Sequence, residues 1–97
     1  MDMLFKLGQV VMTSGIEALL NDEERQKVNG IELTQLLYRH QCGDDGDVCA
    51  EDKEANQLAI KQGDLRVFSV YKHETVTVWI ITEHDRSYTT VLLPEEY

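Results

Sequence analysis

The residues best placed to do chemistry in this chain gather between His40 and Asn56, in HQCGDDGDVCAEDKEAN. Six carboxylates, Asp44, Asp45, Asp47, Glu51, Asp52 and Glu54, stand beside one cation, Lys53, so a net −5 of the formal −9 falls within 17 residues. Carboxylates at this density suit one of two tasks: ligating a hard cation such as calcium or magnesium, or presenting negative charge to a basic partner. The calcium-loop pattern fails. It needs acids at alternate positions ahead of a glycine and a bidentate Glu six residues beyond it; with Gly46 as that glycine, Gln41 and Gly43 fall where ligands belong and only Asp52 closes the loop. No metal site and no cofactor is assigned, since helix capping and solvation account for the acids without one. As a surface, the six can hold charge at spacings comparable to DNA phosphates, about one per 1.7 Å of duplex axis, and so suit a protein built to grip nucleic acid.

The remaining candidates are weaker. His40 follows Leu33, Leu36 and Leu37 on one apolar helical stripe, where a lone histidine serves as a helix C-terminal partner or a satisfied core residue more often than as a catalyst. His84, Asp85, Arg86 and Ser87 bring acid, base and hydroxyl together, but adjacent residues do not build a triad, whose members converge from separate elements. A hairpin loop held by an Asp85 turn and an Arg86 ion pair is the expectation there. His73 lies in a hairpin turn with no evident partner, and Tyr71, Trp79 and Tyr88 are expected to make cross-strand contacts. Cys42 and Cys49 form a C-x6-C pair that matches no common zinc spacing; both are read as reduced thiols, Cys49 packed and Cys42 exposed. The chain has no GxGxxG, phosphate loop, GxSxG or HExxH.

Composition sets the frame for these residues. Ninety-seven residues, 42% hydrophobic and 28% charged, describe one folded domain, residues 1–97, with a modest core and no room for separate cofactor and substrate halves. An isoelectric point near 4.6 disfavours direct nucleic-acid binding and favours a basic or nucleic-acid-binding protein as partner. The N-terminal MDMLFKLGQVVM lacks a small-residue cleavage site, and no stretch approaches the roughly 18–20 apolar residues of a membrane span, so a cytoplasmic, membrane-free location is expected.

The elements that must position the acidic turn follow from periodicity. Residues 3–12 are rich in β-formers and predict a first strand, with Gly8 marking a bend or bulge. Ser14 with Glu17 reads as a capping box opening a short helix over residues 15–20. Residues 21–29, NDEERQKVN, read as an exposed polar connection, with continuation of the helix as the alternative. Asn29 reads as the cap of an amphipathic helix, with Glu32 at its third position, ended by Gly43 and Gly46. Asp47 reads as the cap of a further helix reaching Gln62, with Gly63 as its stop and Val48, Ala55, Leu58 and Ala59 as its buried stripe. From Leu65 the period changes to two. Residues 65–72, 76–81 and 88–93 predict a three-strand antiparallel meander, stopped by Pro94. The expected architecture is α+β: about three helices on one face of a small antiparallel sheet, the N-terminal strand joining at an edge or beside a partner.

LGQVVMTSG, LLYRHQCGDDGD, EDKEANQLAIKQG and WIITEHDRSYTTVLLPEEY together resemble a family of small uncharacterised bacterial proteins carried mostly on plasmids, phages and integrative elements. The resemblance spans nearly the whole chain, and the closing ITE-x-DRS-x-TT-x-LLPEEY is its most specific string. Such proteins are often described as plasmid-related or as methylation subunits of type I restriction systems. The second description cannot hold for a 97-residue chain without a glycine-rich cofactor loop. The family pattern has GDWGD where this chain has GDDGD, so Asp45 replaces an aromatic anchor; His84 stands where a small residue is usual, and residues 21–28 form a longer insertion. The resemblance implies a mobile-element context and transfers no catalytic residue.

The expected function is therefore a non-enzymatic acidic binding module of a mobile element, acting through Asp44, Asp45, Asp47, Glu51, Asp52 and Glu54 as an inhibitor or DNA mimic on a nucleic-acid-binding defence protein. The alternative is a structural accessory or homo-oligomer that associates through an exposed strand edge or apolar patch. A small metal-dependent hydrolase using His40 and the nearby acids is the third reading.

Overall fold

The period-two stretches of the C-terminal half form three strands in the computed structural model, which describes residues 3–97. In chain order the elements are β1 (Gln9–Met12), α1 (Ser14–Leu20), α2 (Glu23–Asn29), α3 (Leu33–Gln41), α4 (Ala50–Gln62), β2 (Val67–Lys72), β3 (Thr77–Thr82) and β4 (Tyr88–Leu92), closed by a 3-10 turn at Pro94–Glu96. The fold is α+β, with a four-stranded sheet in the order β1-β4-β3-β2. β2, β3 and β4 form the antiparallel meander, and β1 joins β4 at the edge. That pairing is parallel, so the sheet is mixed where the local pattern suggested an antiparallel one. The physical reason is the crossover: α1 to α4 carry the chain from β1 at one edge to β2 at the other, a connection that can return a strand in the same direction, and two antiparallel steps of the meander then bring β4 parallel to β1. Among the described residues, no helix is long and apolar enough to cross a membrane.

One sheet face meets the helices. Tyr71 of β2, Val78 and Ile80 of β3 and Val91 of β4 pack with Ile16 and Leu19 of α1, Ile31, and Leu36 of α3. Ile16, Leu19, Ile80 and Val91 are at most 1% exposed, which places the apolar stripes of α1 and α3 directly on the meander.

Several local expectations shift by a residue or an element. Thr13, not Ser14, is the N-cap of α1. Its capping partner is not Glu17: Glu96, from the far end of the chain, accepts from the Thr13 hydroxyl, from the Gly15 amide at 3.1 Å and from the Leu93 amide at 2.9 Å. These donors hold the Glu96 carboxyl below its ordinary range, the Thr13 hydroxyl foremost. Within the polar segment 21–29 the helical alternative holds: Glu23–Asn29 form α2, capped by Asp22 on the Arg25 amide at 3.1 Å and stopped by Gly30 in the left-handed region. It has no buried residue, so hydrophobic periodicity could not announce it. Asn29 ends α2 instead of capping α3, and its side-chain amide joins Thr75 of the β2–β3 hairpin through two bonds of 2.9 Å. α3 begins after Glu32 without a side-chain cap.

α4 departs most from its expected packing. Its buried residues are Asn56 and Ala59, whereas Leu58 is 46% exposed and Ala55 lies on the surface. α4 runs along the edge of the sheet beside β2, so only a narrow stripe of it is covered.

Candidate functional site

The acidic turn closes a strand edge. β2 is an edge strand, and alternation turns the backbone groups of Phe68, Val70 and Lys72 away from β3. Each of these residues finds a partner in the segment from Asp45 to Asn56. The Val70 amide donates to the Asp45 carbonyl at 3.0 Å, and the Asp47 amide donates to the Val70 carbonyl at 2.7 Å. The Lys72 amide donates to Asp47 Oδ2 at 3.0 Å. The Phe68 amide donates to Asn56 Oδ1 at 2.9 Å, while Asn56 Nδ2 donates to the Phe68 carbonyl. Gly46 makes the close approach possible: its φ is +71°, and a Cβ there would sit 2.1 Å from the Val70 oxygen.

The six candidate acids consequently divide. Asp44 pairs with Arg39 at 2.7 Å and accepts from the Gly46 amide at 3.2 Å, which holds its carboxyl below the usual range, Arg39 contributing most. Arg39 also lies over the Tyr71 ring, 4.6 Å from its centroid, and the Tyr71 hydroxyl donates to the Asp44 carbonyl. Burial pushes the Tyr71 phenol up to about 12. Asp45, 5% exposed, accepts from Lys53 at 2.6 Å and from Asn56 at 3.1 Å. Its carboxylate raises the Lys53 ammonium above its ordinary value. Asp47 does not cap α4; the position belongs to Cys49, and the Asp47 carboxylate serves Lys72 as described. Glu51 and Asp52 lie in the first turn of α4, where negative charge offsets the positive end of the helix dipole, and Glu54 lies one turn further on. Glu51 and Glu54 are exposed and Asp52 is half-buried, and none of the three makes a hydrogen bond or ion pair among the described residues. Leu58 follows Glu51 and Glu54 on the same outward stripe, at i, i+3 and i+7.

His40 is a core residue. It is 0% exposed, with Nδ1 2.6 Å from the Ser69 hydroxyl and Nε2 2.8 Å from the Thr82 hydroxyl. Thr82 and Thr89 hydroxyls lie 2.7 Å apart, and Thr89 donates to the Leu7 carbonyl at 2.7 Å. Because the Thr89 proton goes to Leu7, Thr82 must donate to Thr89, and Nε2–H of His40 must donate to Thr82. Nδ1 then accepts from Ser69. Burial, aided by the positive charge of Arg86, pulls the His40 pKa down to about 3, so the ring is neutral. None of Ser69, Thr82 and Thr89 stood out as a candidate, since a hydroxyl on a strand carries no signal until its face is known.

The His84–Ser87 loop is structural. Asp85 accepts from the Ser87 amide at 3.0 Å and the Ser87 hydroxyl at 2.6 Å, the expected Asx turn, and these donors hold its carboxyl below the ordinary range. Arg86, however, forms no ion pair among the described residues. Its guanidinium donates to the carbonyls of Leu65 at 2.6 Å, Glu83 at 3.0 Å and Ala59 at 3.0 Å, tying the loop to the end of α4. His73 Nδ1 donates to the Tyr71 carbonyl at 3.1 Å.

The cysteine assignments are reversed: Cys42 is half-buried and Cys49 exposed, both as free thiols. Among the described residues, no three His, Cys, Asp or Glu side chains come together as a metal site. The sheet face opposite the helices carries Phe68, Trp79 and Ile81 beneath Tyr97, around an open cleft of about 320 Å³. Trp79 meets Phe68 and Tyr97 edge-on, at 5.0 and 5.7 Å between ring centroids. Tyr71 lies on the opposite face and Tyr88 is 43% exposed, so the expected set of three aromatics is not brought together. Compared with known proteins, the chain matches no family model, no curated protein and no solved structure.

Proposed function

We propose that the protein is a non-enzymatic interaction module that receives a basic, nucleic-acid-binding protein on the outward face of α4. The observation that carries this reading is the division of the acids. Asp44, Asp45 and Asp47 are held by the protein's own donors, whereas Glu51 and Glu54 are exposed one turn apart and make no ion pair among the described residues. Exposed Leu58 on the same stripe offers an apolar anchor behind the two carboxylates. A basic segment carrying one apolar side chain fits that pattern. With three aspartates engaged by the protein's own donors the track of free charge is short, so the reading is capture of a cationic segment in preference to imitation of a long duplex. The mobile-element resemblance supplies the context, an inhibitor of a DNA-binding defence protein. Both nitrogens of His40 are engaged in the core, which supports binding over catalysis.

The test is titration with an arginine-rich peptide, and affinity purification from the host, using the native chain and the double variant Glu51→Lys, Glu54→Lys. Binding that weakens with salt and is lost in the double variant, with the circular dichroism spectrum unchanged, is the expected result. Equal retention of a partner by both chains rejects the α4 face.

A further inference from the structure

The two edges of the sheet are treated oppositely. The β2 edge is closed by Asp45, Asp47 and Asn56. Among the described residues, the β1 edge is open. All four residues of β1 are exposed, with Val10 at 39%, Val11 at 38% and Met12 at 44%. The Gln9 amide donates to Ser87 and the Thr13 amide to Val91, each at 3.1 Å, so alternation directs the amides and carbonyls of Val10 and Met12 away from β4. An apolar edge with outward-facing peptide groups is a template for another strand.

Charge selects what can lie there. The chain is formally −9, yet residues 3–16 contain no Asp or Glu, and Lys6 is their only ionisable side chain. Glu96 reaches this strip only at its end, where its carboxylate is bonded to Thr13 and Gly15. Two acidic molecules therefore meet with least repulsion along β1, while a cationic partner is drawn elsewhere. Symmetry selects further. With β2 closed, a β1-to-β2 chain of molecules cannot grow, and the one continuous-sheet association left open to identical copies is β1 against β1.

We propose that a second copy of this chain docks on β1, antiparallel about a two-fold axis through the Val11 pair. In that register Val10 exchanges two backbone hydrogen bonds with Met12 of the second copy, and Met12 exchanges two with its Val10. The two Val11 residues form the non-hydrogen-bonded pair on the axis, their side chains in contact on the sheet face opposite the helices. Two four-stranded sheets become one of eight strands. A short strand pair buries little area, so the dimer belongs to the weak class and forms at high protein concentration. This association is independent of the α4 face and of any basic partner.

The experiment combines light scattering with cross-linking. The native chain should pass from 11.1 kDa to twice that mass as its concentration rises towards millimolar. Val11→Lys, which sets like charges against each other on the axis, should remain monomeric with an unchanged circular dichroism spectrum. Met12→Pro, which removes an outward-facing amide that the sheet does not use, should do the same and guards against a fold defect in the first variant. In a Cys42→Ser, Cys49→Ser background, Val11→Cys should oxidise to a covalent dimer, because a non-hydrogen-bonded antiparallel pair brings the Cα atoms within disulfide reach. Leu58→Cys on α4 in the same background should not. A native chain that stays monomeric at millimolar concentration overturns the proposal. So does a dimer that survives Val11→Lys and Met12→Pro, or one that Val11→Cys fails to link.

Discussion

The side-chain amide of Asn56 pairs in both directions with the backbone of Phe68, accepting its N–H at 2.9 Å and donating to its C=O. A helix residue thus stands in for the strand that β2 lacks on its outer side. Asn56 is 4% exposed, and its Nδ2 also reaches Asp45 at 3.1 Å. Asn56→Asp keeps the shape but turns the donor into an acceptor facing both the Phe68 carbonyl and the Asp45 carboxylate. The expected loss is about 2–4 kcal/mol of folding stability, read as a lower urea midpoint with little change in slope. Asn56→Ala should lose somewhat less, since it leaves the groups unpaired without opposing them.

Asp45 and Glu51 should behave differently although both belong to the acidic stretch. Asp45→Ala leaves a buried Asn56 donor and the Lys53 ammonium without their acceptor, at a cost of about 2 kcal/mol. Glu51→Ala removes a solvated carboxylate and should leave the urea midpoint where it was. Equal effects at the two positions contradict the division of the acids described above.

Stability should fall on acidification well above the carboxylate range. Unfolded, His40 binds a proton near the ordinary pKa of 6.5; folded, it does so only near 3. Between those values the unfolded chain holds more protons, so stability decreases as pH falls through this window, by up to about 1.4 kcal/mol per unit. Lowering the pH from 7 to 5 should remove about 2 kcal/mol through this residue alone. The depressed carboxyls of Asp44, Asp85 and Glu96 act in the same direction at lower pH: their contribution is present above the unfolded values and lost as pH falls through the folded ones. Urea titrations at pH 7 and pH 5 check the His40 part. A pH-independent midpoint between those values shows that the ring is free to titrate.

Gly46→Ala should be among the most damaging single changes in the chain. The residue has φ of +71°, and the added methyl would meet the Val70 carbonyl at 2.1 Å, a backbone atom that cannot swing aside. A loss of about 3 kcal/mol or more is expected, against little effect for Gly63→Ala beyond its left-handed φ, because nothing lies within 4 Å of that position. Thermal melts of the two variants provide the comparison.

Periodicity alone determined much of this molecule. The change from a period of 3.6 to one of 2 after Gly63 marked the passage from helices to meander, and Leu33, Leu36 and Leu37 marked the covered face of α3, because those patterns follow from local backbone geometry. The crowding of carboxylates at residues 44–54 was equally plain. What each carboxylate does was decided only in three dimensions. Asp44, Asp45 and Asp47 are held by Arg39, Lys53 and Lys72, and the use of a Lys72 backbone amide by an aspartate 25 residues away leaves no local trace. The same holds for Glu96 on α1 and for the hydroxyl chain around His40, each joining residues far apart in sequence. Which sheet edge is closed and which stays open was likewise settled by packing: composition records how many charges a chain carries, but strand order and side-chain reach determine which of them are neutralised and which peptide groups remain unpaired.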